Sequence, residues 1–132
     1  MLGPLRRSAF GETEPAKPEK KKRRRTEDGD QARVVSWIRE REPRTVVRCE
    51  QGEHRSPGMA ARHRMLGMQP GSPDLIWFRS GGRTVWIETK TTTGKLSVEQ
   101  IEQHRILRAA GHLVIVGYGS ADIIAQLEAL GP

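Results

Sequence analysis

The chain has 132 residues, with 23 Lys+Arg against 16 Asp+Glu and a formal net charge of +7. That length suits one domain with one core. No apolar run reaches about 18 residues, the N-terminus lacks a signal-peptide core, and the single Cys49 rules out an internal disulfide or a multi-Cys zinc site. A soluble, intracellular protein without membrane association is expected.

The positive charge is concentrated. "KPEKKKRRR", residues 17–25, holds seven basic residues and one acid, so the remainder is close to neutral. Residues 1–26 are rich in Pro, Gly, Lys, Arg and Glu. They cannot bury enough apolar surface to offset ordering entropy, so a disordered basic arm is expected there. Within it, Lys22, Arg23 and Arg24 suit contact with nucleic-acid phosphates, while the same run also reads as an import signal or a solvated tail.

From about residue 28, Gln31, Val34, Val35 and Ile38 recur at helical spacing, which predicts a helix ending before Pro43. "TVVRC" (45–49) predicts a short strand. Residues 50–72 are polar and punctuated by Gly and Pro, with a short helix expected over 59–66. Two strands follow, about 74–79 and 84–90. In "LSVEQIEQHRILRAAG" (96–111), Ser97 and Gln100 form a capping-box pattern and Gly111 stands at a helix stop. "HLVIVGY" (112–118) reads as a strand buried on both faces. Ser120 then caps a last helix carrying Ile123, Ile124, Leu127 and Leu130. The order is helix, strand, short helix, two strands, helix, strand, helix. A helix crossing between buried strands implies a mixed sheet in an α/β fold.

The stretch "SPDLIWFRSGGRTVWIETK" (72–90) carries the chemistry. Glu88 and Lys90 are two apart on one strand and share a face. Asp74 joins them only if the turn around "SGGR" has odd length or a bulge; a two- or four-residue loop would set Asp74 against Thr89. An odd loop or a bulge is therefore expected. Two carboxylates and one ammonium would then converge. A divalent cation relieves the repulsion between the acids, and hard oxygen ligands select Mg²⁺ or Mn²⁺ over zinc. A neighbouring lysine can orient or deprotonate an attacking water and offset charge at phosphorus. Taken alone, P-D followed by E-x-K also fits solvated strand-end charges and a turn cap.

The ordered set G-x-P-D, E-x-K, "GKLSVEQ" and L-x-x-A-G-H resembles the VRR-NUC domain, a branch of the PD-(D/E)xK nucleases found in phage proteins and DNA-repair nucleases. The similarity runs over roughly 27–130, so the expected organisation is a basic arm at 1–26 and a nuclease-like domain at 27–132. The resemblance implies a restriction-endonuclease-like core, a central mixed β-sheet flanked by helices. It implies Asp74 and Glu88 as metal ligands with the Thr89 carbonyl, Lys90 as the catalytic lysine, and Gln100 as a supporting glutamine. Gln100 is equally explained as a capping partner. Glu27 matches an acidic position in the family's first helix; Asp28 and Asp30 are close rivals, and Glu27 also reads as a favourable helix N-terminal charge.

Arg55, Arg62 and Arg64 are candidates for DNA phosphates or simply solvated arginines. His54, His63, His104 and His112 show no metal-ligand spacing and are set aside as non-catalytic. Trp77 and Trp86 read as core. Where many phage-type members carry a Pro-Asn-Gly-like turn, this chain has "CEQGEHR". The expectation is a Mg²⁺-dependent nuclease (Mn²⁺ as substitute) hydrolysing DNA phosphodiesters, an endonuclease on duplex or branched DNA. It would act in the bacterial cytoplasm as a phage or prophage protein. Some stand-alone members dimerise, so a homodimer is expected. The alternative is a non-catalytic nucleic-acid-binding module of the same fold. A small ribosomal-type structural protein fits poorly with the near-neutral core.

Overall fold

The computed structural model describes residues 19–49 and 56–132, with side chains from Glu27 onward. Eight elements follow in the expected order: α1 (Glu19–Arg41), β1 (Val46–Arg48), α2 (Pro57–Met65), β2 (Leu75–Arg79), β3 (Arg83–Lys90), α3 (Val98–Ala109), β4 (Leu113–Tyr118) and α4 (Ser120–Glu128). The strands form one sheet in the order β1-β2-β3-β4. β1–β2 and β2–β3 pair antiparallel, and β3–β4 pair parallel across α3. This is the mixed sheet flanked by helices that the strand pattern implied.

Side-chain alternation sorts the sheet into two faces. Leu75, Trp77, Val85, Ile87 and Ile115 turn one way and bury against Val34 and Ile38 of α1 and Ile123 and Leu127 of α4. Burial of that apolar surface is the main stabilising contribution to the fold. Trp77 lies in this core, edge-on to Trp37, as its place in an apolar strand suggested. The opposite face carries Asp74, Ile76, Trp86, Glu88 and Lys90, with α3 packed over β4. Gly117 lets α4 approach β4 closely: a β-carbon there would overlap Ile123.

The hairpin register depends on its loop. Arg79 pairs with Arg83, leaving Ser80, Gly81 and Gly82 as a three-residue turn. Both glycines have positive φ, 81° and 74°, a backbone that L side chains rarely adopt. The odd loop length required by the charge arrangement is therefore present.

Two local expectations change. The backbone is already helical from Glu19, so the boundary expected at 26/27 falls inside α1. Lys, Arg and Glu are good helix formers, and they extend a helix anchored by packed turns further on. Ser120 is not the cap of α4; the N-cap is Gly119, with no side-chain cap of its own. Asp30 of α1 accepts from the Ser120 amide at 3.1 Å, and Asp122 accepts from the Tyr118 amide at 2.8 Å. Asp30 thus serves a free first-turn amide of α4 from another helix, while Asp122 reaches back from α4 to the last residue of β4.

Candidate active site

The β2–β3 ladder ends at the pair Leu75–Ile87. One residue further, Asp74 stands beside Glu88. Pro73 before it is fully buried and presets the backbone entering β2. Asp74 is held on both sides. Its carbonyl accepts from the Cys49 amide at 2.8 Å, and its Oδ2 accepts from the Thr89 amide at 2.8 Å. The side chain thus takes the donor where the backbone ladder stops, and the two carboxyls are close enough to shift each other's titration.

Glu88 is 1 % exposed. Its Oε1 accepts from Gln100 Nε2 at 3.1 Å, and its Oε2 lies 3.3 Å from His104 Nε2. Gln100 closes the capping box and also contacts Glu88. Its Oε1 accepts from the Ser97 amide at 2.9 Å while its own amide donates to Ser97 Oγ at 3.1 Å, completing the capping box. One side chain therefore closes the start of α3 and grips Glu88.

The electrostatics follow from burial and crowding. Burial, then the neighbouring Asp74 charge, pushes the Glu88 carboxyl up to about 9, with Lys90 opposing and Glu27 adding to the rise. Burial also raises Asp74, against the Thr89 amide, the Glu88 hydrogen bond and the Lys90 and Arg48 charges. Burial lowers His104, reinforced by the Arg108 and Lys90 charges. With the acid raised and the imidazole lowered, the Glu88–His104 contact is a hydrogen bond between weakly charged groups rather than a strong ion pair.

The remaining candidates divide. Glu27 is half-buried on α1 and acts electrostatically on Glu88, whereas Asp28 is exposed. Asp30 is buried and engaged at the start of α4 and with Arg33. Lys90 shares the face of Glu88, and its carbonyl accepts from the Gly119 amide at 2.7 Å. Thr89 is buried. Arg62 and Arg64 are exposed on α2, which buries no residue. Arg55 lies outside the described residues, as do the side chains of Lys22, Arg23 and Arg24.

Three neighbours of the site were not selected by sequence. His104 has no ligand spacing in the sequence, yet it contacts Glu88; the available signal is its position one turn after Gln100 on α3. Arg48 acts on Asp74 from the edge strand β1. Cys49 lies close enough to feel both acids; burial and then those charges push its thiol up to about 11, so it stays protonated and is a poor metal ligand.

Among the described residues no three His, Cys, Asp or Glu side chains form a ready-made metal cage. The fit to a cation rests on a buried carboxyl, Glu88, beside a half-buried one, Asp74, with a main-chain carbonyl at Thr89 between Glu88 and Lys90. Such an all-oxygen set suits a hard ion that retains part of its water shell, as Mg²⁺ does.

The VRR-NUC domain model matches residues 13–121. The chain belongs to the VRR-NUC domain family. Among solved structures, one described as "VRR_NUC domain protein" superposes with a TM-score of 0.62 at 24 % identity, covering 79 % of this chain and 86 % of that one. At that identity the likeness concerns the fold. No curated protein matches the chain. VRR-NUC is a nuclease-type family, and Asp74, Glu88 and Lys90 occupy one end of its nuclease-like sheet here. None of the described helices is long and apolar enough to cross a membrane.

Proposed function

We propose that this VRR-NUC chain is a Mg²⁺-dependent deoxyribonuclease, an endonuclease acting on duplex or branched DNA. One observation carries the reading: half-buried Asp74 and buried Glu88 meet across adjacent strands, with Lys90 on the same face. Two acids so placed repel when ionised. A structural pair would gain more from apolar replacement, whereas a cation-binding pair needs this arrangement.

Asp74, Glu88 and the Thr89 carbonyl would hold the ion, with Mn²⁺ as substitute. When bound, it supplies Lewis-acid polarisation of a phosphoryl oxygen. The protein supplies the rest. The Thr89 amide and the Gln100–His104 pair fix the two acids before substrate arrives, so no reorganisation is needed during reaction. Lys90 offers an ammonium to the attacking water and to the charge that grows at phosphorus. In-line attack breaks one P–O ester bond, and the leaving oxygen takes up a proton. Arg48 adds positive charge at the Asp74 side, where a phosphate backbone would arrive. One site serves one strand, so cutting both strands of a duplex calls for two copies of the chain.

A substrate panel of duplex, flap, single-stranded and four-way-junction DNA, run with Mg²⁺, Mn²⁺ and EDTA, tests the proposal. Cleavage of duplex or branched forms that stops in EDTA is expected. Salt-sensitive DNA binding with no cleavage under either metal would instead favour the binding-module alternative.

A further inference from the structure

Helix α3 grips Glu88 at both carboxyl oxygens. Gln100 Nε2 donates to Oε1 at 3.1 Å, and His104 Nε2 lies 3.3 Å from Oε2. The two residues are four apart, one turn of the same helix face. When Glu88 is ionised, as a bound cation requires, its oxygens only accept, so the nitrogen facing it carries the hydrogen and Nδ1 is left bare. Nδ1 is buried without a partner, and His104 is 1 % exposed. An apolar side chain would fill that space without stranding a ring nitrogen, so packing alone does not account for an imidazole here.

The same helix also abuts the segment that delivers the other acid. Gly71 lies so close to the first turn of α3 that a β-carbon there would overlap the Glu99 carbonyl. Asp74 follows three residues later. Both acids are therefore referenced to one rigid element.

We propose that His104 is a positioning residue: its Nε2–H, with the Gln100 amide, fixes the rotation of the Glu88 carboxylate so that its remaining lone pairs face Asp74 and the cation held between them. The role depends on the cation site proposed above. It sets affinity for the ion without touching substrate, as partners behind a metal ligand do elsewhere.

The test is Mn²⁺ binding to the full chain without DNA, measured by calorimetry or electron paramagnetic resonance, for wild type, His104→Leu and His104→Gln. His104→Leu is expected to weaken Mn²⁺ binding by about tenfold or more, and His104→Gln, which retains a donor, to recover most of the loss. The ¹⁵N signals of the wild-type ring with Mg²⁺ present are expected to show the Nε2–H tautomer. A folded His104→Leu that binds Mn²⁺ like wild type, a His104→Gln no better than leucine, or an Nδ1–H tautomer overturns the inference. The tautomer is read on the wild type and decides the matter even where His104→Leu does not fold. Wild type that binds Mn²⁺ but cuts no DNA removes the nuclease reading and leaves this one; wild type that binds no Mn²⁺ removes both.

Discussion

Burial of Glu88 sets folding stability against the cation binding proposed for it. Its folded carboxyl titrates at about 9 against 4.5 for the free group. Between those values the folded state binds more protons than the unfolded state, so stability falls as pH rises through that window. The contribution is fully present below the unfolded value and lost above the folded one. Thermal denaturation of the metal-free protein should therefore show a Tm that declines from acid toward pH 9. Glu88→Gln mimics the protonated acid and should flatten that decline, stabilising the metal-free protein at pH 8 by about 1–2 kcal/mol while abolishing Mn²⁺ binding. A Glu88→Gln protein less stable than wild type at pH 8 would contradict the assigned cause. The placement of this residue beside Asp74 was readable from E-x-K and the parity of the hairpin. His104 was not, because its contact with Glu88 spans 16 residues and no local motif announces it.

At the scale of elements, α3 and the segment before β2 determine whether the acids meet. Ser97→Ala removes a cap and should cost about 1 kcal/mol in a denaturant melt, with little change in cleavage rate. Gln100→Ala removes the same box and also a donor to Glu88, so it should lose comparable stability and, in addition, cleavage by about tenfold or more. Equal effects of the two substitutions on cleavage would mean that Gln100 acts only as a cap. Gly71 has φ 82° and no room for a β-carbon beside Glu99. Gly71→Ala should cost about 1–3 kcal/mol and push the Asp74 segment off α3, weakening Mn²⁺ binding along with stability. Calorimetry of the variant checks both. The capping box and the odd hairpin loop were legible because each is written in a few adjacent residues. The cap of α4 was misread because its carboxylate comes from Asp30, 90 residues away.

At the scale of the whole molecule, the element order and the mixed sheet were readable because each element carries its own periodicity and punctuation. The strand boundaries shifted only by a residue or so, since the apolar runs are short and bounded by Gly, Pro or charge. The start of α1 was less legible: the basic run has no apolar stripe, so composition pointed to disorder while propensity favoured helix. The sheet has one apolar face in the core and an opposite face whose end gathers charge. The face toward α1 and α4 holds Leu75, Ile87 and Ile115; the face toward α3 holds Asp74, Glu88 and Lys90. The proposed function requires this second face to hydrolyse DNA. It is tested most directly by single-turnover cleavage of labelled duplex and junction DNA in Mg²⁺ by the full chain, with Asp74→Asn and Lys90→Ala alongside. Cleavage by wild type and a loss of at least about 100-fold in each variant are expected, with folding intact. Wild-type rates in both variants, or cleavage that persists undiminished in EDTA, would contradict it.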